Sequence, residues 1–245
     1  PNYETKSAYS VTVSVSDGIN TTTQAVTVNV SNANDVPVIT SAAAYSADEN
    51  QTAVGTVTAT DEDNNTLSYT LSGTDASALS ISSSGVITFN ANPNYEAQNT
   101  YSITVSVSDG TTSVTQSVTI NIGNINDDPV ITSSASYSVT ENQTAIGTVT
   151  VTDEDNDTLT YTLSGTDASA LSINSSGELS FTGTPTKTNY SVTVNVSDGA
   201  NTVTQTLTIT VNAAPLITSA ATFITAENQT AIGTVTVTDE DNDTL

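Results

Sequence analysis

The chain has no histidine, cysteine, methionine or tryptophan, and only two basic residues, Lys6 and Lys187, against 26 acidic ones. Each absence removes a class of function. With no imidazole and no thiol, acid–base and nucleophilic catalysis near neutral pH are poorly provisioned, and the chain reads as a non-enzyme. Zero cysteine excludes disulfides and thiolate metal sites, and suits a protein exported to where thiols would oxidise. A formal net charge of −24 excludes nucleic acid and anionic membrane surfaces as partners, because both are held through Lys and Arg. No apolar run approaches the roughly 18 residues of a membrane span, so no membrane insertion is expected. What remains is carboxylates, amides and hydroxyls, the ligands of hard cations such as Ca2+.

Internal repetition dominates what is there. Glu-Asn-Gln-Thr-Ala begins at Glu49, Glu141 and Glu227, and Asp-Glu-Asp-Asn begins at Asp61, Asp153 and Asp239. Ser-Asp-Gly places its acid at Asp17, Asp109 and Asp198. The first two motifs recur after 92 and then 86 residues; three of the missing six are lost before Tyr190 and three at the linker. That linker reads Asn32-Ala33-Asn34-Asp35-Val36-Pro37, then Asn124-Ile125-Asn126-Asp127-Asp128-Pro129, and finally the shortened Asn212-Ala213-Ala214-Pro215. The expected division is the end of one repeat at 1–36, full repeats at 37–128 and 129–214, and the start of another at 215–245. Joining Leu245 to Pro1 would still lack the counterpart of Ser68 to Pro93, so the expectation is a piece of a longer array.

Within a repeat the hydrophobic period is two. Tyr101 to Ser108 alternates apolar and hydroxyl residues, as do Tyr9 to Ser16 and Tyr190 to Ser197, and each run ends at an Asp-Gly turn. Similar alternation marks Gly55 to Thr60, Leu67 to Leu71, Gly85 to Phe89 and Val118 to Ile122. About seven short strands in about 90 residues indicate an all-β antiparallel sandwich. Its core is thin for its length, which leaves room for stabilisation by metal. The Thr-rich alternation has two readings, an ice- or glycan-binding ladder and the solvated face of a sheet; Thr is a good strand former, which favours the second.

Four acidic signatures fall at predicted strand ends or loops in a fixed order: the Glu of Glu-Asn-Gln, Asp-Glu-Asp, Asn-Tyr-Glu and the Asn-x-Asn-Asp linker. One Asp-x-Asp would mean little, since acidic loops are usually just solvated. Four signatures in repeated order point to cation binding.

With these motifs in place, the chain resembles tandem cadherin-like repeats of large bacterial surface adhesins, over essentially its whole length. The resemblance implies tandem seven-stranded Greek-key (cadherin/Ig-like) β-sandwich repeats in a linear array, with calcium at each junction. It also implies the ligands. The first junction would use Glu4 with Asn2, then Asn32, Asn34 and Asp35, then Asp61, Asp63 and Asp109. The middle one would use Glu49 and Glu96 with Asn94, then Asn124, Asn126 and Asp127 with Asp128, then Asp153, Asp155 and Asp198 with Asp157. The linkers depart from the family's Asp-x-Asn-Asp-Asn-x-Pro, and Asn-Tyr-Glu is less acidic than the family's Asp-x-Glu, so fewer ions per junction are implied. At the third junction the losses remove Asn-Tyr-Glu and the Asn-Asp pair, and no full cluster is expected despite Glu141, Asp239 and Asp241.

The expected function is a calcium-stiffened extracellular spacer of a surface adhesin or fibre, serving cell adhesion or biofilm attachment. Its partners would be calcium ions, neighbouring repeats and, as alternatives, cell-surface glycans or like chains in an extracellular filament. A glycan platform would draw on Tyr45, Tyr69, Tyr95, Tyr137 and Tyr161, most of which sit at core-facing positions of the strand period. Asn50, Asn142 and Asn228 open sequons at the same place in each repeat.

Overall fold

A computed structural model describes residues 1–241; the last four residues of the 215–245 segment lie outside the described residues. The chain divides into two compact units, Pro1–Ile125 and Asn126–Leu245.

In the first unit, Thr100–Ser108 and Ser113–Gly123 form a long antiparallel hairpin at the centre of a four-stranded sheet. Ser68–Ser72 pairs antiparallel on one side, and Ala44–Asp48 pairs in parallel on the other. A three-stranded sheet of Ala53–Thr56, Val86–Phe89 and Leu79–Ile81 faces it. The period-two alternation sends Tyr101, Ile103, Val105 and Val107 into the space between the sheets, where Val118, Ile120, Ile87 and Phe89 meet them. The intervening Ser and Thr residues stay outside, on a face without charged side chains along the hairpin itself. The Thr alternation is therefore the solvent side of a sandwich sheet.

Two of the seven expected strands are broken. Val38–Ile39 pairs with Ala59–Thr60, after which the chain crosses to the other sheet as Ala44–Asp48. That crossing produces the parallel pairing, where the sequence had suggested antiparallel strands throughout. The run Gly55 to Thr60 is interrupted at the fully buried Val57, whose N–H donates to the carbonyl of Gly85 at 2.8 Å. Gly85 has φ +80 and brings its backbone against the Val57 carbonyl, where a Cβ would lie 2.2 Å from the oxygen.

The second unit repeats this plan. Its four-stranded sheet runs Ser136–Thr140, Thr202–Asn212, Asn189–Ser197, Thr160–Ser164, and its three-stranded sheet Ala145–Thr148, Glu178–Phe181, Leu171–Ile173. Tyr45 and Tyr137 lie over Gly55 and Gly147 and donate to the carbonyls of Thr56 and Thr148 at 2.9 and 3.0 Å. With Tyr69, Tyr95 and Tyr161 they pack against the cores and form no exposed platform.

The N-terminal hairpin, Ala8–Ser16 with Thr21–Asn29, keeps the register of its full-repeat counterparts. Val11, Val13 and Val15 are exposed where Ile103, Val105 and Val107 are buried. Residues 1–36 contain no counterpart of Ser68–Phe89, the strands that cover those positions.

Candidate metal centre at the repeat hinges

The first linker lies wholly within the first unit, and its side chains converge. The hairpin end at Asp109 is built by the Ser-Asp-Gly motif. Asp109 Oδ1 accepts the N–H groups of Thr111 and Thr112, both at 2.6 Å, and Gly110 takes φ +93. This leaves Oδ2 facing the linker, where it accepts from Asn34 Nδ2 at 2.8 Å and from the Thr112 hydroxyl at 2.7 Å. The Asn34 amide holds the Asp109 carboxyl well below the usual carboxylate range, with the backbone N–H of Thr112 next in importance. Asp63 is divided in the same way: Oδ1 accepts from Asn32 Nδ2 at 2.8 Å and Oδ2 from the N–H of Asp35 at 2.7 Å. Its carboxyl is lowered, chiefly by that Asp35 N–H.

Around this frame sit further carboxylates. One oxygen each from Glu4, Asp35 and Glu62 lie within 4.8 Å of one another. Asp35 is pushed up, first by desolvation and then by the charges of Glu62, Asp63 and Asp61. Asp61 Oδ2 is buried and meets no hydrogen-bond donor. A buried, unpartnered carboxylate oxygen is costly unless something positive faces it. The donor set is all oxygen, mixing carboxylates with Asn side chains, which suits Ca2+ at separations compatible with a shared ion.

The first hinge thus gathers Glu4, Asn32, Asn34, Asp35, Asp61, Asp63 and Asp109, with Asn2 bonded to Glu62 at 3.0 Å. Glu62 was not among the residues expected. As the middle residue of Asp-Glu-Asp it should point away from its neighbours in an extended chain. Glu62 does stay exposed, yet one of its carboxylate oxygens lies near oxygens of Glu4 and Asp35, which only the folded hinge brings to it.

The middle motif set is divided between the two units. In the first, Glu49 is only 2% exposed and both carboxylate oxygens are satisfied by backbone, the N–H of Tyr95 at 2.7 Å and that of Ile125 at 2.8 Å. Glu49 thereby ties the segment carrying Asn94 and Glu96 to the one carrying Asn124. In the second, Asn126 Nδ2 donates to Asp198 Oδ2 at 2.9 Å, the N–H of Asp127 to Asp155 Oδ2 at 2.7 Å, and Asn201 Nδ2 to Asp128 Oδ1 at 2.7 Å. Oxygens of Asp153, Asp155 and Asp157 lie within 4.8 Å of one another, and Asp153 Oδ2 is buried without a donor.

The third hinge keeps a reduced version. Asn212 pairs with Thr140 at the strand end, as Gly123 does with Asp48, and its Nδ2 donates to the carbonyl of Ala213 at 3.1 Å, as Asn126 does to Asp127. One residue therefore fills two posts. The N–H of Ala213 donates to Asp241, and Glu141 is exposed. Where Asn-Tyr-Glu would stand, a cleft of about 500 Å³ opens between Glu141, Pro185, Lys187, Ala213 and Glu240. Lys187 reaches Asp167 at 2.6 Å, replacing the Gln98–Asp75 contact at 3.1 Å in the first unit.

These features define a class: tandem cadherin-like β-sandwich repeats. Residues 43–123 match the family model described as Cadherin domain, and residues 126–210 match that described as Bacterial Ig domain. The second match falls on the repeat that lacks Asn-Tyr-Glu. Human protocadherin-24 EC1-2, form II, superposes with a TM-score of 0.55 at 20% identity, covering 73% of this chain and 99% of that one. For mouse cadherin-23 EC22-24 the values are 0.51, 23%, 87% and 77%, and for the PcdhgB3 EC1-4 structure 0.63, 21%, 87% and 59%. At these identities the likeness is one of fold. Comparison with curated proteins gives no match.

Proposed function

We propose that the chain is a calcium-stiffened, non-catalytic spacer of an extracellular adhesin or surface fibre. The full repeats, 37–128 and 129–214, are its rigid members, and the Asn-x-Asn-Asp linkers are its calcium sites. The reading rests chiefly on the first hinge, where oxygens of Glu4, Asp35 and Glu62 come within 4.8 Å of one another and the neighbouring Asp61 has a buried Oδ2 with no donor. Glu4, Asn32, Asn34, Asp35, Asp61, Asp63 and Asp109 would hold the ion there, with Glu49, Glu96, Asn124, Asn126, Asp127, Asp153, Asp155 and Asp198 serving the middle linker. A bound calcium would supply the positive charge these carboxylates lack, turning mutual repulsion into a bridge. The extracellular setting accords with sites of this type, which are often tuned to roughly 10⁻⁴ to 10⁻³ M calcium. Small-angle scattering and thermal melting in calcium and in EDTA test it. Chelation is expected to increase flexibility and lower Tm, and identical behaviour in both would refute it.

A further inference from the structure

Both hydrogen bonds that hold the Glu49 carboxylate come from segments that the second unit has shortened. Glu49 accepts from the N–H of Tyr95 at 2.7 Å and from that of Ile125 at 2.8 Å. Tyr95 stands in the connection between Phe89 and Thr100, ten residues long, whereas the corresponding connection between Phe181 and Asn189 has seven. Ile125 stands in the linker Asn124 to Pro129, which becomes Asn212 to Pro215. Glu141 keeps the place of Glu49 at the strand end: its own N–H donates to the Asn212 carbonyl at 2.9 Å, as that of Glu49 does to Gly123 at 3.1 Å. Its side chain has lost both donors and is exposed.

The shortened connection does not close over the vacated space. It is pinned from its other side, where the N–H groups of Thr186 and Lys187 donate to the Tyr190 hydroxyl at 2.7 and 3.1 Å and the Lys187 ammonium meets Asp167 at 2.6 Å. On the linker side the N–H of Ala213 is committed to Asp241. What results is the cleft of about 500 Å³, within the size range of ligand pockets. Val211 and Ala213, 5% and 8% exposed, give it an apolar wall, and the exposed Glu141 and Glu240 make it acidic.

The first unit shows what such a space accepts. There Tyr95 gives Glu49 its N–H and packs its side chain against the core, and an oxygen of the next residue, Glu96, lies within 4.8 Å of one of Glu49. A free segment entering the second unit's cleft in the same way would set a backbone N–H on Glu141, a ring against Val211 and Ala213, and its following side chain beside Glu141. At that last position an acid would meet two carboxylates, and Lys187, already paired, offers it nothing. A base there would pair with them. This chain has only two basic residues, Lys6 and Lys187, and neither follows an aromatic one, so such a segment belongs to a different protein.

We propose that the cleft beside Glu141 is a peptide-binding site for an extended segment of a partner protein carrying an aromatic residue followed by a basic one. The site is a place from which the chain's own aromatic segment has been removed, its carboxylate anchor left standing. A spacer built this way would carry an attachment point on the repeat that lacks Asn-Tyr-Glu.

The test is an NMR titration of the whole chain in EDTA, and again in calcium, with a blocked, glycine-flanked Tyr-Arg peptide. The amides of Thr186, Thr188 and Ala213 are expected to shift, equally in both conditions. A Tyr-Glu peptide, and the Tyr-Arg peptide on the Glu141→Gln, Glu240→Gln double variant, are each expected to bind at least about tenfold more weakly, the loss that follows from removing hydrogen bonds to a charged group. Both glutamates are exposed, and an unchanged melting curve confirms that the double variant folds. The inference is overturned if millimolar Tyr-Arg peptide leaves those amides in place, if the double variant or the Tyr-Glu peptide binds as well, or if calcium displaces the peptide, which would make the cleft a metal site. Because the first titration is made in EDTA, its result leaves the calcium-stiffened spacer reading untouched.

Discussion

The N–H of Ala213 donates to the carboxylate of Asp241. The same bond joins Asp127 to Asp155 and Asp35 to Asp63, both at 2.7 Å. In each hinge the donor stands two residues before the linker proline and the acceptor is the second aspartate of the Asp-x-Asp loop. The bond uses only backbone on the linker side, so alanine serves as well as aspartate. Loss of the linker acids therefore removes charge without removing the clamp.

Amide exchange separates the two. The Asp35 amide is expected to gain protection when calcium is added. The Ala213 amide is expected to be equally protected in calcium and in EDTA, and exposed in both by Asp241→Ala. Calcium-dependent protection at Ala213 would show that the third hinge binds the ion after all.

Glu49 and Glu141 occupy the same motif position with different consequences. Removing the Glu49 carboxylate strands the N–H groups of Tyr95 and Ile125. Glu49→Ala is expected to destabilise the first unit by about 1–3 kcal/mol even without calcium. The side chain of Glu141 is exposed, and Glu141→Ala is expected to stay within about 0.5 kcal/mol. Melting curves of the two variants in EDTA decide the matter; equal losses would contradict the assigned difference.

Acid should loosen the ion-free hinges in a defined window. Asp198 is lowered from 3.8, chiefly by the Asn126 side chain, and Asp109 is lowered by that of Asn34. A lowered folded value means stability that is present above 3.8 and lost as pH falls through the folded value. Asp35, raised by burial, runs the other way: its protonation relieves repulsion as pH falls toward 3.8. In EDTA, Tm is expected to decline below about pH 4, and Asp198→Asn to decline less steeply there. A variant with the parent's slope would remove Asp198 from the account.

Gly177 has φ +76, and a Cβ there would lie 2.3 Å from the Val149 carbonyl oxygen, whereas a Cβ on Gly183 would meet nothing within 4 Å. Gly177→Ala is expected to cost about 1–3 kcal/mol. Gly183→Ala is expected to leave Tm nearly unchanged. The pair, measured side by side, distinguishes backbone crowding from a general effect of added methyl groups.

Much of this was legible in the residues. The alternation of Tyr101 to Ser108 fixes which side of that strand enters the core, and the spacing of repeated motifs locates equivalent loops. The split first strand was not legible, because two residues such as Val38–Ile39 are too few to carry a period. Glu62 was hidden because it is the exposed middle residue of Asp-Glu-Asp, and only the fold brings Glu4 and Asp35 beside it. The direction of each asparagine amide was hidden as well, because it depends on the partner: Asn34 and Asn126 donate to aspartates that only the fold brings near.

Those amides have a consequence for how such a chain reaches its working state. An amide can present either hydrogen or oxygen, so Asn34 can bond Asp109 before any ion arrives and offer its carbonyl afterwards. On the calcium reading proposed above, asparagine in the linker would act as a placeholder that keeps the hinge assembled while calcium is scarce and gives way once it is plentiful. Aspartate at the same position would attract the ion more strongly yet leave the hinge self-repelling until loaded. Asn34→Asp is accordingly expected to melt earlier in EDTA and later in saturating calcium than the parent. On this view the neutral linker residue trades some grip on the metal for safe passage while the metal is scarce.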